Sequence, residues 1–202
     1  MGNVLIIGYG HMGKRYGNYL TSFGEDWNYF DPYVEGGEVD LKKINKYTHV
    51  IISTPPEQHY KCYQDLKKFK GNILIDKPVI ITQESLSIFE DKRVFYSLTE
   101  RYNPAAQKIK ELINFDNIVS MEFIRNSNVN ALYWDIPLLF DLGIHDLDLY
   151  FYITQETTLP SIKMNLQIGK TQFLNAISSK KYLTKFMWSH ECPNIERKIK
   201  IQ

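Results

Sequence analysis

Cysteine is nearly missing from this chain. Its 202 residues hold two, Cys62 and Cys192, far apart and outside any Cys-x-x-Cys spacing. That argues against a disulfide framework and against a zinc site. A dominant charge is missing too: 24 Lys and Arg face 23 Asp and Glu, a formal net of +1. No overall field therefore points to nucleic acid or to an anionic membrane as a partner. No apolar run reaches bilayer-spanning length, and Met1-Gly2-Asn3 leads straight into a strand, which reads as no signal peptide. Internal repeats and low-complexity linkers are absent. What the chain does have is 44% hydrophobic and 14% aromatic residues, enough for one large domain or two small ones. A cytoplasmic globular protein is the expectation.

The most informative stretch is Val4 to Gly13, an apolar strand running into G-x-G-x-x-G at Gly8, Gly10 and Gly13. Gly8 permits a tight turn off the strand, Gly10 lets the backbone approach a pyrophosphate, and Gly13 lets the next helix pack closely. That helix would aim its unpaired N–H groups, with His11 and Met12 in the turn, at the phosphates. Met12, Tyr16, Tyr19, Leu20 and Phe23 form one apolar helical stripe, and Gly24 ends it. A second strand, Trp27 to Phe30, delivers Asp31 roughly twenty residues beyond the glycines, where a carboxylate binds a ribose 2′-hydroxyl. Pro32, Tyr33, Val34 and Glu35 supply no cation for a 2′-phosphate, so NAD is favoured over NADP.

The α/β rhythm continues. Thr48 to Ser53 reads as a strand ended by Thr54-Pro55-Pro56, since proline cannot continue a ladder. A helix follows with Cys62, Leu66 and Phe69 on one face. Asn72 to Ile75 is the next strand, broken at Asp76-Lys77-Pro78. Thr82 caps a short helix carrying Leu86 and Phe89, and Arg93 to Leu98 is a further strand. The alternation predicts a doubly wound parallel sheet of the Rossmann type over residues 1–98, with its ligand crevice at the strands' carboxyl ends.

After residue 99 the pattern changes. Arg101-Tyr102-Asn103-Pro104 precedes a helix with Ala105, Ile109, Leu112 and Ile113 on its inner stripe. Then come runs of period two at Val119 to Phe123, Ser161 to Ile168, Gln172 to Ser178, Tyr182 to His190 and Ile195 to Ile201. They predict a smaller α+β domain over residues 99–202 with an open antiparallel sheet, one apolar face of which needs a cover. Within it, Asp141, His145 and Asp148 stand at i, i+4 and i+7, on one face of a helix. The segment around them is so apolar that this polar stripe must meet partners or a wet cavity. Carboxylates beside an imidazole suit a general base; an N-terminal cap with an ordinary core histidine fits the same spacing. No fixed ligand set emerges there, and no metal is expected.

Taken in order, these motifs resemble those of the Gfo/Idh/MocA family of NAD(P)-dependent oxidoreductases. They are the glycine turn, Thr54-Pro55-Pro56 with His59, Asp76-Lys77-Pro78, Arg101-Tyr102-Asn103-Pro104, and Asp141-x-Gly-x-His145-x-x-Asp148. The resemblance runs over almost the whole chain. It implies that Lys77 holds a substrate hydroxyl and the nicotinamide ribose, that His145 is the acid/base residue, and that Asp141 positions substrate or histidine. It places Thr54, Pro55 and His59 beside the cofactor and Arg101 and Asn103 on the substrate side or between domains. Trp134, with Tyr133, would line the substrate pocket.

Two departures from the family pattern stand out. Asp76 replaces the usual Glu before Lys-Pro, one methylene shorter. The chain also ends at Gln202, where members continue with more of the second domain, so an open sheet is expected to find its cover in a second copy, as a homodimer or higher homo-oligomer. The expectation is thus an NAD-dependent oxidoreductase acting on a secondary hydroxyl of a sugar, sugar nucleotide or cyclitol. A non-catalytic NAD(H)-binding sensor or scaffold of the same fold is the rival. A third reading keeps the enzyme and reduces an imine or a linear carbonyl compound.

Overall fold

Val4–Ile7 (β1) is an unbroken apolar run with all four residues buried, the signature of a strand covered on both sides. In the computed structural model, residues 3–37, 41–78, 83–128, 136–157, 161–177 and 182–202 are described. Two compact units divide the chain, Met1–Ser97 and Leu98–Gln202.

In the first unit, β1 is followed by α1 (His11–Ser22), β2 (Trp27–Phe30), β3 (His49–Ile52), α2 (Pro56–Asp65), β4 (Asn72–Ile75) and β5 (Val94–Tyr96). The strands form one parallel sheet in the order β2-β1-β3-β4-β5. The chain leaves β1 toward β2 and later returns to β3 on the other side. The strand order therefore reverses between β1 and β3, and a crevice opens at their carboxyl ends. Alternate residues feed two cores. Leu5, Ile7, Val50, Ile52, Ile73 and Ile75 face one side; Val4, Ile6 and Ile51 face α1 on the other.

Two helical stripes differ from expectation. In α1 the face against the sheet carries Gly13 and Gly17, with Tyr16 and Leu20 beside them, while Tyr19 and Phe23 point outward. A Cβ on Gly17 would lie 2.7 Å from the Trp27 ring, so close approach rather than apolar bulk selects this face. Before β5, a 3-10 helix over Gln83–Glu90 buries Ser85 and Ile88 and exposes Leu86 and Phe89. Three residues per turn puts positions 85 and 88 on one side, which a 3.6 period misses. Thr82, its expected cap, lies outside the described residues.

The second unit has α3 (Pro104–Leu112), β6 (Ser120–Asn128), α4 (Ile144–Thr154), β7 (Ser161–Ile168), β8 (Thr171–Ile177), β9 (Leu183–Ser189) and β10 (Glu191–Ile201). In α3 the buried residue is Ala106 rather than Ala105, and Leu112 is exposed. The strands order as β10-β6-β9-β8-β7. Three pairings are antiparallel, as expected; β6 and β9 pair parallel. Between those two strands the chain runs through α4 and the β7–β8 hairpin, the long crossover that a parallel pair requires. One face of the sheet packs Met121, Phe123, Leu174, Phe186 and Trp188 against Leu142, Leu149, Tyr150 and Ile153. On the other face the register sets Leu166, Phe173, Met187 and Ile124 in one row across four strands. The Lys185–Glu122–Lys200 ion pairs flank that row.

Candidate functional site

Each glycine of the first turn has a separate geometric reason. Gly8 has φ +90, and a Cβ there would meet Thr54 N at 2.6 Å. Gly13 touches the backbone of that turn: a Cβ would lie 2.1 Å from Gly8 O. Gly10 caps α1 with nothing within 4 Å of where its Cβ would be. The first two glycines are needed by the fold, and the third leaves open space at a helix N-terminus. Its surroundings suit a pyrophosphate, since His11, Met12 and Gly13 begin the helix and its first N–H groups lack carbonyl partners within it. Ser53 fastens the neighbouring turn by donating to Gly8 O at 2.7 Å.

Asp31 follows β2 directly, and its carboxylate is tied to the glycine turn. Oδ2 accepts the Tyr9 N–H at 2.7 Å and Oδ1 accepts the Tyr33 N–H at 2.9 Å. Each oxygen keeps lone-pair capacity for a further donor such as a ribose hydroxyl. The Tyr9 ring stacks on Tyr29 with centroids 3.9 Å apart, and Trp27 lies beside it. The sequence reading passed over Tyr9; its signal was an aromatic residue between the first two motif glycines.

The turns after β3 and β4 meet through His59. Its imidazole, buried in α2, sits 2.8 Å from Thr54 O and 3.0 Å from Pro78 O. Pro55 stands at the start of α2 and Pro56 is its first residue. The Lys77–Pro78 bond is cis. Asp76 is buried beside them and accepts the Lys77 N–H at 2.9 Å. Burial pushes its carboxyl above the ordinary value, against the opposing pull of that N–H and of the His59 and Lys77 charges.

In the second unit, the segment bearing Asp141 is one π-helical turn, Leu139–Gly143, running into α4. Five residues of α-helix would leave positions 141 and 146 about 140° apart. The wider turn brings both to the sheet. Asp141 bonds His190 Nε2 at 2.9 Å, and Asp146 accepts the Trp188 indole N–H at 2.9 Å. Gly143 permits this approach, because a Cβ there would meet the Trp188 ring at 3.0 Å. Asp148 turns elsewhere and pairs with Arg101, whose guanidinium also lies over the Tyr152 ring. Asp141, His145 and Asp148 were expected on one face of a regular helix. Asp141 and Asp148 instead bond partners on different elements, because the π turn changes the phase.

His145 is half-buried near the start of α4 and acts electrostatically on Glu100. Arg125, itself buried, joins Glu100 (3.0 Å) to Asp146 (2.8 Å), and Arg197 reaches Glu100 from β10. Burial raises the Glu100 carboxyl, but the Arg125 hydrogen bond and charge outweigh it, with help from Arg197 and His145; the net shift is downward. Asn103 caps α3 by accepting the Ala105 N–H. Trp134 lies outside the described residues. Arg125, Asp146 and His190 were missed, since their partners lie 21 to 49 residues away and no local pattern announces them.

No family sequence model matches the chain, and no curated protein matches it by sequence. Solved structures do share its fold. UDP-N-acetylglucosamine 3-dehydrogenase GnnA from Acidithiobacillus ferrooxidans superposes with TM-score 0.79 at 17% identity, over 98% of this chain and 72% of that one. A myo-inositol dehydrogenase from Corynebacterium glutamicum gives 0.75 at 16%, over 97% and 71%. The WlbA dehydrogenase from Thermus thermophilus, solved with NAD and UDP-GlcNAcA, gives 0.78 at 14%, over 100% and 81%. The structural neighbours are dehydrogenases of the Gfo/Idh/MocA type, and at these identities the likeness is one of fold.

Proposed function

We propose that this chain is an NAD-dependent oxidoreductase of the Gfo/Idh/MocA type, acting on a secondary hydroxyl of a sugar, sugar nucleotide or cyclitol. The observation that carries the cofactor half is the Asp31 carboxylate bound to the N–H of Tyr9, beside the open helix start at Gly10. A carboxylate there accepts from a ribose diol and repels a 2′-phosphate, which favours NAD over NADP. Gly8, Gly10, His11, Met12, Gly13, Asp31, Thr54, Pro55, His59 and Lys77 form the cofactor side of this reading.

When bound, a nicotinamide dinucleotide takes up or supplies the hydride at the carbon bearing the hydroxyl. The chain's own residues handle the proton and the orientation. Lys77 donates to the substrate hydroxyl oxygen and stabilises negative charge as it develops there. His145 takes the hydroxyl proton on a ring nitrogen and returns it in the reverse direction. Asp141, held against His190, keeps a carboxylate in the π turn four residues before that base. Arg101 and Asn103 have bonding partners within their own unit, so any contact of theirs with substrate comes in addition to these. Trp134 belongs to the same substrate-side proposal.

The row Leu166, Phe173, Met187 and Ile124, with Leu166 exposed and the other three half-buried, supports a homodimer through the second sheet, because an apolar face of this kind is unfavourable in water. Met187→Glu would then convert the dimer to monomer in sedimentation; a wild-type protein that is monomeric at high concentration would sink this assembly. Cytoplasmic residence is part of the same reading. Among the described residues, no helix is long and apolar enough to cross a membrane.

The test is absorbance at the reduced-nicotinamide band with NAD and a panel of sugar nucleotides, free sugars and inositols. Turnover that vanishes in His145→Ala supports the proposal. NADH binding without turnover across the panel favours the sensor or scaffold reading, and turnover of an imine or linear carbonyl compound favours the third.

A further inference from the structure

His59 has carbonyl oxygens at both ends. Thr54 O is 2.8 Å from Nε2 and Pro78 O is 3.0 Å from Nδ1. A main-chain carbonyl only accepts. A neutral imidazole has one N–H and one lone pair, so either tautomer sets a lone pair against an oxygen at hydrogen-bonding distance. The imidazolium donates to both. The ring is buried, where an uncompensated charge would be costly. Asp76 supplies the opposite charge: it is buried at the end of β4 and interacts electrostatically with His59.

The two carbonyls belong to different loops. Thr54 O lies in the turn after β3, on the cofactor side, and Pro78 O is the main-chain carbonyl of the residue that follows Lys77. We propose that His59 is a positioning residue: a doubly donating imidazolium that clamps the loop after β3 to the loop after β4 and so fixes where Lys77 stands. What Lys77 then does rests on the oxidoreductase reading. The clamp itself belongs to the fold of the first unit.

The surrounding ionisable groups allow this state. Asp76, whose carboxyl burial pushes up against the pull of His59 and Lys77, stands with Lys77 at the end of β4. Tyr16 on α1 is pushed up to about 12 by burial and by Asp76, and remains neutral. On α2 itself, burial pushes up the Cys62 thiol and the Tyr63 phenol, and both remain neutral. Loss of the His59 proton removes one of the two donors. One carbonyl is then released, and Lys77 loses its tether to the cofactor-side loop.

The measurement is long-range nitrogen NMR of the His59 ring in the wild-type protein without cofactor, assigned against His59→Gln. Both ring nitrogens in the protonated range at neutral pH, with the Thr54 and Pro78 carbonyl carbons shifting together as the ring titrates, is the expected result. A neutral, single-tautomer ring at neutral pH overturns the proposal, whether or not any substrate is turned over. If the ring is protonated and no polyol reacts, the functional reading fails and the clamp stands. For an active enzyme, kcat falls with the ring's own titration. His59→Gln, which cannot donate from both ends, lowers kcat at least about tenfold and removes the ring's inflection from the pH profile. An unchanged kcat and pH profile in a folded His59→Gln would remove the positioning role.

Discussion

The carboxylate of Asp31 accepts the backbone N–H of Tyr9 at 2.7 Å, so the acidic residue at the end of β2 is built into the glycine turn. Asp31→Asn keeps one carbonyl-type acceptor and removes the charge. The loss of a hydrogen bond to a charged group, worth about 1.5–3 kcal/mol, is expected to weaken NADH binding about tenfold or more. The loss of repulsion narrows the gap between NADH and NADPH. Fluorescence titration with both cofactors checks this; an unchanged affinity ratio would sink the role assigned to Asp31.

Gly10 and Gly13 separate binding from folding. A Cβ at Gly10 has open space, whereas at Gly13 it falls 2.1 Å from Gly8 O. Gly10→Ala is expected to keep its urea midpoint and lose NADH affinity, because the methyl enters the space a pyrophosphate needs. Gly13→Ala is expected to lose about 1–3 kcal/mol of stability, the usual cost of overpacking. A Gly10→Ala protein that binds NADH like wild type would remove the pyrophosphate from that turn.

Arg125 lies between two acids in the second unit, with Asp146 at 2.8 Å and Glu100 at 3.0 Å. Burial works against its charge, and the two carboxylates outweigh that effect and hold it protonated. Among the described residues, Arg125→Ala leaves Asp146 buried with the Trp188 indole N–H, at 2.9 Å, as its side-chain donor. Removing one partner of a buried pair costs about 3–5 kcal/mol. Urea unfolding of the variant measures the loss, and a cost below about 1 kcal/mol would show that the pair is better solvated than its burial implies.

Asp91 gives the first unit an acid-sensitive bond. The Arg93 guanidinium donates to both its oxygens and Tyr63 donates to Oδ2 at 3.0 Å. The Arg93 hydrogen bond, against the opposing effect of burial, lowers this carboxyl from 3.8 to about 2. The folded value lies below the unfolded one, so the stabilisation is complete above the unfolded value and fades as pH falls toward the folded one. The stability difference between wild type and Asp91→Asn should therefore shrink between about pH 5 and about pH 2. A difference that stays constant over that range would contradict the assignment.

Much of the first unit could be read along the chain because its signals are local. Val4–Ile7, His49–Ile52 and Asn72–Ile75 are short apolar runs stopped by glycine, proline or aspartate, and each is a strand of the parallel sheet. Gly8 and Gly13 stand where a side chain would collide with neighbouring backbone, a demand that spacing alone expresses. Composition and periodicity likewise set the change from alternating helices and strands to a strand-rich second half.

What the sequence did not contain is which side of an element meets which partner. The buried side of α1 is set by Gly13 and Gly17, which have no apolar side chain to register in a helical stripe. The π turn at Leu139–Gly143 moves Asp141 and Asp146 onto the sheet, and nothing in a 3.6-residue period foretells it. His190 reaches Asp141 from 49 residues away, and the carbonyls at the two ends of His59 come from loops on either side of its helix. Hydrogen bonds to main-chain oxygens carry no side-chain identity, so no residue pattern records them. Local chemistry along the chain determined the strands and the glycine turn; only tertiary packing, which sets distances between groups remote in sequence, decided the partners of the buried charges.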